Sequence, residues 1–249
     1  MTPLKKKKKQ VSPSVLKVRH AFEKLQQANA EVKEAYMAIT LKLAIIAEHR
    51  DHDTGGHIIR ISDYGCELGK ALAWTAKELE VFRFASPMHD IGKIATPDSI
   101  LKKQDHLTPA EFEVMKNHAA IGARMFEGSP SPILKAAAEI CRSHHEKWDG
   151  SGYPDGLKGD KIPMFARVLA LVDVFDALLS KRCYKDAWGY DEALKHIKGQ
   201  AGKHFDPHMV NTFLKIQPQI KHIYESSQTI QSVLTDHDIL GLKREAEKR

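Results

Sequence analysis

The sequence predicts an all-α fold, a helical bundle with a long N-terminal helix. Apolar residues recur at helical spacing along most of the chain, whereas convincing alternating strands and internal repeats of fixed period are absent. Of the 249 residues, 42% are hydrophobic and 28% are charged, an ordinary globular composition with material for a sizeable core. This length suits one large domain or two small ones.

The first predicted helix runs from Val15 to about His49 without a breaker, and its first half is polar enough for a solvent-exposed or coiled helix. Thr108 and Glu111 form a capping-box pattern, with Pro109 at the first helical position, which predicts a helix start there. The other helices are predicted at about 56–72, 76–90, 109–126, 131–145, 163–180, 190–199 and 206–216. The resulting division is a basic tail and N-terminal helix (1–44), a catalytic domain (45–220) and a polar, helical or frayed tail (221–249).

The net charge of +6 includes five consecutive lysines, Lys5 to Lys9. A terminal lysine run is usually a solvated tail, and no aromatic residues for base stacking interrupt it, so no stable nucleic-acid partner is expected. No apolar run approaches the roughly 20 residues that span a bilayer, and no secretory signal is found, so the predicted location is the cytoplasm. Three well-separated cysteines argue against disulfides and thiolate zinc sites.

Histidine and aspartate residues recur at intervals of about thirty residues, the length of one helix pair, so successive helical hairpins can return them to a common centre. Nitrogen and oxygen ligands without sulfur suit iron, manganese, cobalt, nickel or zinc in an open, catalytic site. Because eight ligands exceed what one ion takes, two divalent ions are expected, or three with bridging carboxylates. The candidate ligands are Asp53, His57, His89, Asp90, His118, His144, His145 and Asp173.

Asp173 is the most informative of these residues, because it lies in an apolar helical segment. A carboxylate there is costly to bury unless it is paired or binds a metal. The structural alternative is a salt bridge to a buried arginine such as Arg167. For His144 and His145, the alternative is a pair of surface histidines before a turn.

The pattern of His57, His89-Asp90 and Asp173 resembles the H…HD…D signature of the HD-domain metal-dependent phosphohydrolases. The run His144-His145-Glu146-x-x-Asp149-Gly150-x-Gly152-Tyr153-Pro154 is similar to that of the HD-GYP subfamily, which in bacteria degrades the second messenger cyclic di-GMP. The resemblance covers roughly residues 45 to 216. It implies an HD-type helical bundle with a multi-metal site in the bundle core.

The resemblance assigns roles to individual residues. It implies that the metal ligands are His57, His89, Asp90, His118, His144, His145 and Asp173. Asp53 stands where the family often has a glutamate as an additional ligand, so a third metal stays open. Asp90 would bridge the ions and act with Lys93 in catalysis. Lys93, Arg182 and Lys185 would hold phosphates, and Tyr153 would contact the substrate, the alternative being a tyrosine packed at a turn.

The implied function is hydrolysis of cyclic di-GMP to pGpG and/or GMP by a metal-activated hydroxide, with iron or manganese as the foremost metals. Two alternatives stay open: a phosphodiesterase for another cyclic dinucleotide such as cyclic GMP-AMP, and an inactive module that binds the nucleotide for signalling. A homodimer through the N-terminal helix and signalling partner proteins are further expectations.

Overall fold

The computed structural model describes residues 12–49, 55–180 and 187–233. Within these ranges the chain is helical and contains no strand, apart from one isolated bridge between Ala201 and Phe205. The all-α prediction is therefore confirmed. The helices are α1 (Pro13–His49), α2 (Gly55–Ala71), α3 (Ala76–Ala85), α4 (Asp98–Leu101), α5 (Pro109–Phe126), α6 (Pro132–Ser143), α7 (Met164–Leu179), α8 (Tyr190–Gly199), α9 (Pro207–Lys215) and α10 (Gln217–Val233).

The chain divides into two compact units, residues 1–39 and residues 40–249. In the first unit the described residues belong almost entirely to α1, and nearly all their side chains are exposed. The lysine run lies outside the described residues. No helix within the described ranges combines the length and the apolar character needed to cross a membrane.

The core of the second unit is organised around α7, which packs against α2, α6 and α8. This helix is the most apolar of the chain, and Phe175 is completely buried on it. Phe175 contacts Tyr64 of α2 and Phe213 of α9 edge to face, with ring centroids 5.7 and 5.0 Å apart. Each such side chain contributes about 1.5–3 kcal/mol by leaving water. The residues beside α7 are therefore held in a rigid frame.

The C-terminal helix α10 adds to this core through Ile220, which is completely buried, and through the partly buried Ile223 and Tyr224. The predicted boundary at residue 220 thus falls within a helix, as the boundary at residue 44 falls within α1.

The prediction of one helix at 76–90 was wrong. The helix α3 ends at Ala85, and a 3₁₀ turn at Ser86–Met88 follows. Pro87 has no N–H to donate to the preceding turn, so the α-helical ladder stops there. The helix predicted at 131–145 likewise ends at Ser143, so that His144 caps α6 rather than continuing it.

The capping box at the start of α5 is confirmed. The Thr108 side chain accepts a hydrogen bond from the Glu111 backbone N–H, and the Glu111 carboxylate accepts from the Thr108 N–H. These bonds satisfy backbone N–H groups in the first turn of α5 and so help to fix where this helix begins. The segment of chain that follows α3 lies beside α5.

Gly92 allows that chain to approach α5 closely. A Cβ atom added to Gly92 would collide with the carbonyl oxygen of His118 and would lie 2.6 Å from the Gly122 backbone nitrogen. Since backbone atoms cannot move aside as a flexible side chain would, only glycine fits at this crossing.

We expect Gly92→Ala to lower the free energy of unfolding by about 1–3 kcal/mol or more, because it overpacks the crossing of two backbones. Urea unfolding in the presence of a chelator measures this effect apart from metal binding. Gly199→Ala is the matched control, because an added Cβ meets no atom within 4 Å there. Equal stability of the two variants would contradict the packing explanation.

Candidate metal centre

The structure brings seven of the eight predicted metal ligands together. His57 lies on α2, His118 on α5 and Asp173 on α7, whereas His89 and Asp90 lie between two 3₁₀ turns and the His144–His145 pair follows α6. Their candidate ligand atoms form two groups, and within each group these atoms lie within 4.8 Å of one another. The first group is His57, His89 and Asp173, and the second is Asp90, His118, His144 and His145.

Asp90 connects the two groups. Its Oδ2 lies 3.3 Å from Nε2 of His89 in the first group. Its Oδ1 lies 3.2 Å from Nε2 of His118 and 3.4 Å from Nε2 of His144 in the second group. The two oxygens of one carboxylate therefore point toward two different sets of imidazoles, as a bridging ligand requires.

Backbone carbonyls fix the orientation of three of the imidazoles. The Nδ1 atoms of His89, His118 and His144 lie 3.0, 2.6 and 3.0 Å from the carbonyl oxygens of Ser86, Met115 and Ile140 respectively. Because a carbonyl oxygen only accepts, Nδ1 must carry the hydrogen and donate it. In the neutral ring, Nε2 then presents its lone pair toward the other ligands, which is the orientation of a metal-binding histidine.

The contact between His144 and Asp90 indicates whether the site can hold a cation. Burial lowers the pKa of His144, so its ring is neutral and its one N–H is used at Nδ1. Its Nε2 and Oδ1 of Asp90 are both buried and make no hydrogen bond to any described residue. Two acceptor atoms that face each other at 3.4 Å, away from water, are unfavourable unless a positive ion lies between them. The residues present therefore fit a bound metal.

The charges of the site agree with that conclusion. Burial raises the pKa of Asp90, but Lys93 and the nearby histidines outweigh it and hold that pKa well below its ordinary value. Burial and neighbouring His144 hold the pKa of His145 well below the usual range. Both residues are therefore in their metal-binding forms at neutral pH.

His57 differs, because burial lowers its pKa but hydrogen bonds to Asp173 and Asp176 raise it well above the ordinary value. The imidazole therefore holds a proton between two carboxylates when no other cation is bound. A metal held at Nε2 of His57 would take the place of that proton, so metal binding here would release a proton.

Lys93 lies beside the carboxylate of Asp90. Its Nζ is 2.7 Å from Oδ2 of Asp90, and both side chains are largely buried, at 14% and 13% exposure. Its ammonium group is thus a fixed positive charge at the edge of the two ligand groups.

Glu146 explains how the glycine-rich loop is held. Its buried carboxylate accepts hydrogen bonds from the backbone N–H groups of Asp155 and Leu157, at 2.7 and 2.9 Å. A Cβ on Gly152 would lie 2.5 Å from Cα of Glu146, so this position requires glycine. The loop therefore folds back tightly over the end of α6.

This fold-back stacks the Tyr153 ring on the imidazole of His145, with centroids 4.7 Å apart. Phe112 of α5 meets the Tyr153 ring edge to face at 6.1 Å, and Nζ of Lys116 lies 5.4 and 5.7 Å from these two rings. We call Phe112, Lys116 and Tyr153 the aromatic platform. Phe112 and Lys116 were not predicted as site residues. Their i, i+4 spacing predicts that they share one face of a helix, but it does not predict that this face lies against the loop that carries Tyr153.

The sequence analysis also missed Asp176, which lies directly behind His57. Its Oδ2 is 2.7 Å from Nδ1 of His57, and the side chain is 1% exposed. Arg60 holds the same carboxylate from the other side through Nε and Nη2, at 2.6 and 2.8 Å. Asp176, like Asp173, is a carboxylate in an apolar helix, and this feature of the sequence could have identified it.

The salt bridge considered for Asp173 is not formed with Arg167. Nη1 of Arg167 instead lies 2.9 Å from Asp160 and 2.8 Å from Asp206. Asp173 points its Oδ1 to Nε2 of His57 at 3.3 Å. Three predicted site residues, Asp53, Arg182 and Lys185, lie outside the described residues.

Comparisons with known protein families and with individual proteins agree with one another. A sequence model of the HD domain family matches residues 41–209. A cyclic di-GMP phosphodiesterase response regulator of Xanthomonas campestris is 41% identical over 201 residues, which are 81% of this chain and 53% of the relative. A 3′3′-cGAMP-specific phosphodiesterase of Vibrio cholerae is 39% identical over 185 residues, 74% of this chain and 35% of the relative. The chain thus spans about half, or less, of the length of these relatives.

Among solved structures, a cyclic GMP-AMP-specific phosphodiesterase of V. cholerae aligns with a TM-score of 0.51 at 21% identity, over 84% of this chain and 53% of the other. At this identity the similarity concerns the fold, which is the helical HD fold.

We expect Asp176→Asn to weaken metal binding at the first group about 10–100-fold, because the amide no longer fixes the donor tautomer and orientation of His57. Titration against a chromophoric chelator measures the affinity without any assay of turnover. Asp63→Asn is the control, since Asp63 pairs with Arg83 at the surface. An unchanged affinity in a folded Asp176→Asn protein would show that Asp176 serves the fold alone.

Proposed function

Because this chain belongs to the HD domain family, in its HD-GYP subfamily, we propose that it is a metal-dependent phosphodiesterase that hydrolyses cyclic di-GMP to pGpG and/or GMP. The observation that carries the proposal is the pair of ligand groups that share Asp90, with imidazole nitrogens and carboxylate oxygens turned toward one another. Two adjoining groups of this kind are the protein ligands that a two-metal hydrolytic site requires.

Each group would hold one divalent ion, with Asp90 common to both. Iron and manganese are the proposed metals, since the set contains imidazoles and carboxylates and no thiolate. When bound, such ions lower the pKa of a water molecule and neutralise charge on a phosphate. Asp53 is the proposed additional ligand should a third ion bind.

A phosphodiester resists hydrolysis because its negative charge repels nucleophiles and its leaving alkoxide is poor. The imidazoles and carboxylates supply a fixed, largely buried set of ligands, so little reorganisation is needed when substrate arrives. Lys93 has its ammonium group against Asp90, where it can offer a hydrogen bond to a phosphate oxygen or to the leaving 3′ oxygen. Arg182 and Lys185 are proposed to neutralise the second phosphate of the cyclic substrate.

We place a base of the substrate on the aromatic platform. The Phe112 side chain is 45% exposed and so has a free surface for stacking, while Tyr153 is fixed against His145. Base–aromatic stacking contributes about 1–3 kcal/mol per base, and Lys116 adds a cation beside the same rings. A phosphate at the metal ligands and a base on the platform would be adjacent parts of one nucleotide.

The relatives include enzymes named for cyclic di-GMP and for cGAMP. We propose cyclic di-GMP as the substrate and retain cyclic GMP-AMP as the second candidate, because both carry the same two phosphodiesters. The bacterial cytoplasm, where such a second messenger acts, is the proposed location, and signalling proteins are the proposed partners. A module that only binds the nucleotide is the remaining alternative.

The decisive experiment combines anaerobic metal analysis with product chromatography. The purified protein is expected to hold about two divalent metal ions per chain and to linearise cyclic di-GMP faster than cyclic GMP-AMP at equal concentration. Asp90→Asn and His89→Ala should lower turnover by at least about 1,000-fold, because each removes a ligand at the junction of the two groups.

His106→Ala, which changes an exposed histidine away from the ligand groups, serves as the control and should retain full activity. Saturable binding with the nucleotide returned intact would favour the binding module. Turnover that persists in both ligand variants would contradict the proposed function.

The platform generates a separate prediction. Phe112→Ala should raise KM for the cyclic dinucleotide about 5–100-fold with little change in kcat, because stacking contributes to binding rather than to bond cleavage. Steady-state kinetics on the metal-loaded enzyme give both constants. Val114→Ala, at an exposed position on the same helix, is the control. An unchanged KM would contradict the proposed stacking of a base on Phe112.

A further inference from the structure

The helix α1 carries a row of large apolar side chains on its surface. Soluble proteins rarely expose an apolar row of this length unless something covers it. The row comprises Val15, Val18, Phe22, Leu25, Val32 and Ile39, which are 54–70% exposed, and it continues in register at Leu43 and Ile46, at 55% and 51%.

The spacing of this row is a heptad repeat. Intervals of three and four residues alternate from Val15 to Ile46, with Asn29 and Tyr36 at the two positions that complete the pattern. A straight α-helix has 3.6 residues per turn, so a strict seven-residue period drifts by about 20° per heptad. Four or more successive heptads on one helix are therefore typical of a helix wound around another helix.

Asn29 interrupts the row near its middle and indicates what covers it. Its side chain is exposed within one chain, at a heptad position that faces the partner in a coiled coil. An amide both donates and accepts, so two identical amides that meet across the interface can satisfy each other. A single asparagine at such a position is known to fix the register and the number of strands. A purely apolar partner would leave this amide unpaired, so the position favours an identical helix in register.

Within the second unit, the end of α1 has two different faces. In the second unit, α1 buries Ala44 and Ile45, which pack with Ile58 of α2. Leu43 and Ile46 lie on another face of the same helix and stay more than half exposed. In the second unit, the apolar row and the face that packs on the domain are thus separate surfaces.

We propose that this row binds the same helix of a second copy of this chain, in a parallel coiled coil. In that arrangement the residues at 14, 21 and 28 face the partner's residues at 19, 26 and 33, whereas Thr40 and Ala47 are buried within the second unit of their own chain. These pairs are Ser–Arg, Ala–Gln and Ala–Lys, so no pair brings two like charges together. Two identical helices can therefore lie side by side in register without repulsion.

The area available is sufficient for a specific interface. Eight large apolar side chains, at roughly 60–100 Å² each, give about 500–800 Å² per copy. A standard interface buries about 800 Å² per partner. The row, with the flanking side chains that would close over it, approaches that size.

The test is the mass of the full-length chain in solution, by light scattering and sedimentation over a range of concentrations. The wild-type protein should have at least twice the 28.0 kDa of one chain. The double variant Leu25→Lys, Val32→Lys places two charges in the row and should sediment as a single chain. A wild-type mass of one chain at every concentration would overturn the proposal.

A matched control separates the row from the general effect of added charge. Leu16→Lys with Gln27→Lys adds the same two charges at exposed positions of α1 outside the row, and should keep the wild-type mass. Equal masses for the row variant and the control would also overturn the proposal. Metal content, measured for all three proteins, reports whether the domain is folded and does not depend on the proposed enzymatic function.

Discussion

The constraint on which the rest of this structure depends is the burial of electron-rich atoms that face one another. An imidazole lone pair of His144 and a carboxylate oxygen of Asp90 lie 3.4 Å apart, without a hydrogen bond to any described residue and away from water. A folded protein tolerates such an arrangement only when a cation offsets it, so the fold and the metal are linked energetically. Removal of the metal by a chelator should therefore reduce the stability of the folded protein.

The surrounding structure serves to hold those atoms in place. Carbonyl groups of three different segments orient the imidazoles, and the Asp176–Arg60 pair does the same for His57. The helix α7 contributes Asp173 to the ligands and Asp176 behind them, three residues apart on one buried helix. Because α7 is also the centre of the core, the positions of these two carboxylates are coupled to the packing of the whole domain.

The local breaks in helical structure also help to position these side chains. Pro87 ends the α-helical ladder, and Asp90 adopts backbone angles of φ −101° and ψ 8°, outside the helical range. His89 and Asp90 are neighbours in sequence, yet the carboxylate reaches imidazoles of two groups. Gly92 then lets this short segment lie directly against α5, which carries His118. A regular helix through residue 90 would have turned the two side chains about 100° apart along one cylinder.

The sequence by itself determined the all-α class, the start of α5 and the identity of the seven residues that converge, because helical periodicity, capping patterns and ligand types are local signals. Only the tertiary structure decided that Asp176 and Arg60 stand behind His57, and that Phe112 and Lys116 lie against Tyr153. Those facts depend on contacts between residues far apart in the chain, such as the 119 positions that separate His57 from Asp176. No local pattern encodes them, since they arise from how helices pack around α7.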